Sequence, residues 1–474
     1  MQFRFPETVR YPCLPVRAGS RGLYFPLTGE SYCTAVELSL AVRLGAEIEI
    51  LQGVVVPWAG DGEERLFEDF VREVRGRRLD AKARGDEFHD KLIKTVGNSL
   101  YGKLAQGFKR GTSYDTRRGE RVEHSPSQIS NPYMAATVTG FIRGVVGELL
   151  ASVPENRTVI SVTTDGFLTN ASLAELNCSG PLMSQYRELM AMVDSSVLEN
   201  PWGGLECKHR VRQVISMRTR GTLTALSQEG YPLILAKASV KPPMSDREAQ
   251  NRYLIDLYLD RQAGQRHEQS HLISLSEQWL HERDLISISR NPRLNLEYDF
   301  KREPINPRMV SVAGVEHLSC DTRPWKDFED GRRTRATFDE WRRTHTLKTL
   351  EDWEDWQLFR MGREVRRSGG IRKTAEGEVG ILRRLFLRAY SRGVWGTCRT
   401  FTNVEMARAL TGRGYPTSED ELKNAKRAAL VESAVLPTKE VKALWAVLLE
   451  LQPGLESGRF FAQTSDSALK APAV

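Results

Sequence analysis

Residues 66–104 hold two helical stretches with only Gly85 and Asp86 to turn the chain between them. Leu66 to Lys82 has helical spacing and becomes strongly basic towards its end, through Arg72, Arg75, Arg77, Arg78, Lys82 and Arg84. A second helix runs from about Glu87 through Leu104. A connection this short sets the two helices antiparallel, as a hairpin. Its second arm carries K-L-I-K-T-V-G-N-S-L-Y-G, residues 91–102. On a helix Lys91, Lys94, Asn98 and Tyr101 fall at i, i+3, i+7 and i+10 and share one face. Two amines, a carboxamide and a phenol are not a core-facing set. They suit a polyanion beside a flat ring, with lysine as a point charge for phosphate and tyrosine as an amphipathic platform. The alternative, which spacing alone favours, is a solvated basic face.

At 474 residues the chain has room for two to four domains with cores of their own. Its 40% hydrophobic and 27% charged residues place it with ordinary globular proteins. A net charge of +7 and a pI near 9.0 lean towards an anionic partner. With 61 acidic residues present, that excess matters only where it is local. Six scattered cysteines (Cys13, Cys33, Cys178, Cys207, Cys320, Cys398) form no C-x-x-C pair. This argues against both a zinc site and a disulfide framework, and suits a reducing cytosol. The opening M-Q-F-R-F-P-E-T lacks the apolar run of a secretory signal. The longest apolar stretch, Met134 to Val153, is broken by Arg143 and Glu148 and reads as a buried helix rather than a membrane span. The expectation is a soluble, cytoplasmic protein with no membrane partner.

Elsewhere Gly22 to Leu27 reads as a strand, Thr34 to Leu44 as a helix and Glu47 to Pro57 as a strand. Phe108 to Pro132 is polar and basic, a hairpin or loop, and a helix follows to about Ala151. Residues 157–170, R-T-V-I-S-V-T-T-D-G-F-L-T-N, place Asp-Gly between β-branched runs, a strong hairpin signal with Asp165 at the tip. Residues 172–199 return to helix and Leu205 to Leu226 to strand. Lys208, Arg210, Arg212, Arg218 and Arg220 all stand at even positions, so an unbroken strand would set them in one row. Such a row suits duplex phosphates, read without sequence preference; the alternative is an edge strand protected by charge. Glu206 beside it reads as a structural edge carboxylate. Residues 247–290 read as helical. The tryptophans between 325 and 356 have helical spacing that favours packing over base stacking. A small helical module occupies roughly 378–453.

Three of these elements occur in an order that resembles a family B DNA polymerase, nearest the viral, plasmid and protein-primed branch. They are K-x-x-x-N-S-x-Y-G at 94–102, T-T-D-G at 163–166 and K-H-R-V-R-Q-V-I-S-M-R-T-R-G at 208–221. The resemblance spans roughly residues 10–230. It implies an α+β chain with right-hand architecture: palm at 1–60, a fingers hairpin at 61–107, palm with the metal-binding hairpin at 108–228 and a mostly helical thumb at 229–320. Beyond lie a charged Trp-rich helical region at 321–377, a small helical module at 378–455 and a disordered tail at 456–474.

By position, the resemblance places Lys94, Asn98 and Tyr101 in the pocket of the incoming deoxynucleoside triphosphate, with Lys82 and Arg78 on the opposing arm. Asp165 becomes the catalytic, Mg²⁺-binding carboxylate. Arg218 and Arg220 are the nearest match to the motif that grips the primer end, although the usual Lys-x-Tyr pattern is absent. Nucleotidyl transfer needs carboxylates to clamp two metals ~3.5–4 Å apart and cations for the leaving pyrophosphate. The chain departs from the family where its hairpin carries Thr163 and Gly166 in place of Asp and Ser. The family's D-x-x-x-L-Y-P motif, which carries the other metal-binding Asp, has no counterpart before Tyr24, and exonuclease-type acidic motifs are lacking. The expectation is the C-terminal portion of a polymerase acting on primer–template DNA, its second metal carboxylate outside this chain on an N-terminal subunit or upstream segment. The alternative is a non-catalytic DNA-binding remnant that keeps the fold.

Overall fold

A short N-terminal sheet is laid down first: β1 (Gln2–Arg4) is central between β4 (Thr28–Glu30) and β5 (Glu47–Glu49), antiparallel to both. The computed structural model describes residues 1–461 apart from 18, 20–21, 58–64, 109–110, 124, 201, 203, 281, 283, 369–376, 429 and 431–434. β2 (Val16–Arg17) pairs with β3 (Leu23–Tyr24). The strand expected over 47–57 stops at Glu49. Val54 and Val55 are 85% and 89% exposed, so their β-branching finds no partner strand among the described residues.

α1 (Ala35–Arg43) starts on a capping box, in which Glu37 Oε2 accepts from the Thr34 backbone N–H at 2.9 Å. Glu37 is fully buried, and its other oxygen accepts from Arg143 Nε at 2.7 Å. Arg143 sits on α4 (Pro132–Ala151), whose Asn131 cap accepts from Met134 N–H at 3.0 Å. Gly144 and Gly147 let α4 come close to α1: an added Cβ would lie 2.9 Å from Val36 Cγ1 and 2.8 Å from Leu40 Cδ2. Phe3, Phe5, Leu14, Leu40, Leu149 and Met183 form the core there. Each such side chain stabilises the fold by about 1.5–3 kcal/mol relative to leaving it exposed. α4 is long and apolar enough to cross a membrane by length and composition, but it packs on α1 and on α5 (Pro181–Ala191). Glu148 on α4 takes the N–H groups of Leu182 and Met183 at the start of α5, and its ion pair with Arg43 closes at 2.6 Å. The continuous helix expected over 172–199 is therefore broken. Short 3₁₀ turns at Leu173–Glu175 and Ser195–Leu198 flank α5, which begins only at Pro181.

Between β5 and α4 stand the two expected antiparallel helices, α2 (Glu68–Ala83) and α3 (Glu87–Leu104), then the hairpin β6 (Thr112–Asp115) and β7 (Glu120–Glu123). After α4 come β8 (Val159–Val162) and β9 (Phe167–Thr169). Beyond α5, β10 (Val211–Arg218), β11 (Gly221–Ser227) and β12 (Leu235–Lys237) form an antiparallel sheet against α6 (Arg247–Leu259). The mostly helical region expected at 229–320 is corrected here. Apart from α6 and the six-residue α7 (Leu275–Leu280), it contains β13 (Gln269–Leu272), β14 (Ser287–Arg290) and the long ribbon β15 (Glu303–Val312) and β16 (Val315–Arg323).

The chain divides into two compact units, 1–305 with 322–333, and 306–321 with the chain from 334 onward. The second unit holds most of α8 (Phe328–Trp341), then α9 (Leu350–Ser368), α10 (Gly377–Tyr390), α11 (Asn403–Gly412), α12 (Glu419–Ala425) and α13 (Lys439–Leu451). Leu382, Phe386, Met406, Leu410, Leu444 and Leu448 interlock as its core. Trp341 and Trp356 are buried against Phe338, which is packing rather than a stacking platform. The disordered tail expected from 456 is corrected over 456–461, where Phe460 is fully buried against Trp395 and Trp445. The remainder, 462–474, lies outside the described residues. The whole is an α+β arrangement of small antiparallel sheets with separate helical packing.

Candidate nucleotide and metal site

The hairpin α2–α3 is held close by a glycine inside the singled-out motif. A Cβ on Gly97 would lie 2.9 Å from Val74 Cγ1 on the facing helix. Asp86 caps α3, accepting from His89 N–H at 3.1 Å. Most cations of the hairpin are spoken for. Arg72 pairs with Glu68 at 2.7 Å and Arg77 with Glu73 at 2.6 Å, while Arg75 forms an ion pair with Asp194 beyond α5. Lys91 pairs with Glu87 at 2.9 Å. Arg78, expected on the triphosphate, instead donates from Nε to Asp90 Oδ1 at 2.9 Å, tying α2 to α3. Lys82, Lys94, Asn98 and Tyr101 are exposed, and among the described residues their polar ends have no hydrogen bond or ion pair. One helix face thus offers an ammonium, a carboxamide and a phenol to solvent, with a second ammonium on the other arm.

Asp165 sits in the loop between β8 and β9. Thr163 closes that loop on Gly166, its N–H donating to the carbonyl at 2.8 Å and its hydroxyl at 3.1 Å. The turn centre is therefore Thr164–Asp165 rather than Asp165–Gly166, and neither Asp165 nor Gly166 takes the positive φ of a primed turn. The Asp165 carboxylate is exposed with no hydrogen bond or ion pair among the described residues. Tyr186 on α5 registers its charge: burial pushes the phenol above its usual range, and Asp165 pushes it further.

The root of this β-hairpin is fastened by residues that no motif marked. Arg10 donates to the carbonyls of Pro154 at 3.0 Å and Arg157 at 2.6 Å. Arg157 in turn pairs with Glu175 at 2.8 Å. The Ser172 backbone N–H, followed by Arg157, holds the Glu175 carboxyl down at about 2. Arg10 and Arg75 carry no local signal, because each acts through a partner more than 100 residues away in sequence, and Tyr186 on α5 responds to a charge in the loop between β8 and β9.

The expected row of basic side chains is not one row. β10 covers only Arg212 and Arg218, and its pairing with β11 shifts register at three places. Lys208 precedes the strand and lies 3.9 Å from Glu206; Arg210 lies over the Tyr231 ring at 5.2 Å. Arg212 donates to Ser227 O at 3.1 Å and Arg218 to Asn295 O at 2.7 Å. Arg220 occupies the turn before β11 with φ of 57°.

An exposed carboxylate such as Asp165 is a suitable oxygen ligand for a hard dication. It is one ligand only. Among the described residues the group of three or more metal-ligating side chains lies elsewhere, at His345, Asp355 and Glu440. The residues present do not make up a two-metal centre by themselves.

The motif order points to a class, and comparison with known proteins agrees: parts of the chain are similar to the type B DNA polymerases. Residues 4–126, with Lys94, Asn98 and Tyr101 inside them, match the family described as DNA polymerase type B, organellar and viral. Residues 350–451 match the C-terminal domain of the primer-independent DNA polymerase PolB. In particular, the chain is 44% identical over 467 residues to the primer-independent DNA polymerase PolB of Escherichia coli, covering 95% of this chain and 52% of that protein. The chain thus spans about half the length of this curated relative. No solved structure gives a significant match.

Proposed function

We propose that this chain supplies the nucleotide-gripping and template-handling part of a DNA polymerase that adds deoxynucleotides to a DNA 3′ end. The observation that carries the reading is the exposed, unpaired face Lys94–Asn98–Tyr101 on α3, in a hairpin where Lys91 and the α2 arginines 72, 75, 77 and 78 are held by carboxylates. Lys94 and Lys82 would neutralise the triphosphate, and Asn98 and Tyr101 would line the base and sugar. Asp165 would hold Mg²⁺ together with a carboxylate from a further polypeptide segment; the metal would neutralise charge developing on the phosphoryl oxygens. Lys208, Arg210 and Arg220 would meet the phosphates of primer–template DNA, while Arg212 and Arg218 shape the strand that presents them. In right-hand terms α2–α3 would be the fingers and the β8–β9 region the palm. The free cysteines among the described residues suit a reducing, cytoplasmic setting.

Primer extension with Mg²⁺ and deoxynucleotides tests this, using the chain alone and then with a polypeptide supplying the D-x-x-x-L-Y-P segment. Extension in either arrangement that is abolished by Asp165→Ala is the expected result. Extension that survives Asp165→Ala would show the mechanism to be wrong. Salt-sensitive DNA binding without synthesis in both arrangements would establish the second reading, a DNA-binding remnant, which the lone carboxylate at 165 favours. Omitting the oligonucleotide primer asks whether the chain shares the primer independence in its relative's name.

A further inference from the structure

In the second unit, a loop and two helices bring one imidazole and two carboxylates to a point: His345 in the segment after α8, Asp355 on α9 and Glu440 in the first turn of α13. Their ligand atoms all lie within 4.8 Å of one another. His345 Nδ1 lies 3.0 Å from the Trp341 carbonyl, which makes it the N–H donor and leaves Nε2 facing both carboxylates. Nε2 contacts Glu440 Oε1 and stands 3.8 Å from Asp355 Oδ2. Asp355 is itself steered, accepting from Trp341 Nε1 at 2.8 Å and from the Lys439 N–H at 2.6 Å. An imidazole fixed by a backbone carbonyl and a carboxylate fixed by an indole are the outer supports that hold metal ligands in place.

The charge balance points the same way. Asp355 is 5% exposed, and among the described residues neither it nor Glu440 has an Arg or Lys partner. Other carboxylates of this unit do, such as Glu421 with Arg383 and Glu419 with Lys423. A proton on Nε2 serves Glu440 but leaves Asp355 at 3.8 Å, beyond hydrogen-bond range. A tetrahedral dication with bonds of ~2.0–2.2 Å holds its ligand atoms about 3.4 Å apart. Small side-chain shifts, Asp355 towards Nε2 and Glu440 away from it, would therefore seat one ion among all three. We propose that His345, Asp355 and Glu440 bind a zinc-class dication that clasps α9 and α13 to the segment following α8, with a water as fourth ligand. The site uses no cysteine, so the absence of a C-x-x-C pair does not bear on it. Glu440 is half-exposed, with 48% of its side chain open, and gives the ion a way in.

The test is calorimetric titration of the full chain with ZnCl₂ alone, in the Asp165→Ala background to remove the other carboxylate of interest. Thermal unfolding with and without EDTA accompanies it. The expected result is one Zn²⁺ equivalent that raises the unfolding temperature, with its affinity falling at least about tenfold in both His345→Gln and Glu440→Gln. Glu440→Gln changes a half-exposed side chain and decides the matter should His345→Gln fail to fold. Zn²⁺ binding that is equally tight in Glu440→Gln overturns the proposal. So does an unfolding temperature indifferent to Zn²⁺ and EDTA, which would leave a protonated His345–Glu440 ion pair only.

Discussion

Arg78 and Asp90 meet across the helical hairpin, Nε to Oδ1 at 2.9 Å, with roughly a quarter to a third of each side chain exposed. The pair takes a cation that position alone would assign to the triphosphate and makes it a brace between α2 and α3. Arg78→Ala and Asp90→Ala should each lower stability by about 0.5–1 kcal/mol, and the double variant by less than the sum. Denaturant unfolding of the three variants checks this. Full additivity would show the contact to be absent in solution.

Gly97 faces Val74 with room for no Cβ. Gly97→Leu should force the arms apart and cost about 1–3 kcal/mol, as overpacking does. Circular dichroism melts give the stability. A parallel nucleotide-binding assay should show weaker binding, because Lys82 and Lys94 sit on opposite arms.

Glu37 is fully buried, with Arg143 as its counter-charge. Removing the cation by Arg143→Met strands a carboxylate in the α1–α4 core and should cost about 3 kcal/mol. Glu37→Gln with Arg143→Met together should recover part of the loss. Equilibrium unfolding of the single and double variants is the measurement.

The Glu175 carboxyl, held down at about 2 by the Ser172 N–H and Arg157, gives a pH signature. Its folded-state value is depressed, so its contribution is complete above the ordinary carboxylate range and is lost as pH falls from there towards 2. Glu175→Gln should therefore be less stable than the parent at pH 7, with the gap closing as pH drops through about 4. Melts of both proteins between pH 7 and 3 follow it. A gap independent of pH would mean that the carboxylate charge plays no part.

What was legible in the sequence was local. The helix start at Thr34, the Gly85-Asp86 turn and the helix beginning near Pro132 each fall within a few residues of the boundary found. Partner choice was not legible, because it depends on what folding brings alongside. Nothing near Arg78 says that Asp90 will claim it, and nothing near Val54 says that its strand will lack a neighbour. Even spacing at 208–220 assumed a strand without bulges, and the register shifts in β10 remove that assumption. The helical reading of 247–290 missed β13 and β14, and the rest of the helical expectation over 229–320 came from resemblance rather than pattern. The alternation of burial along β15, with Ile305, Pro307 and Met309 more enclosed than Asn306 and Arg308, marks strand where helix was expected.

The central claim is that α3 presents a nucleotide-gripping face. Single-nucleotide incorporation on a primer–template, in whichever arrangement is active, tests it most directly with Lys94→Ala beside Arg78→Ala. Loss of a charge-assisted contact of about 1.5–3 kcal/mol should raise the nucleotide KM of Lys94→Ala by about tenfold or more. DNA affinity should stay unchanged, and Arg78→Ala should shift KM far less. An unaltered nucleotide KM in Lys94→Ala, or an equal loss of DNA affinity, would contradict the account.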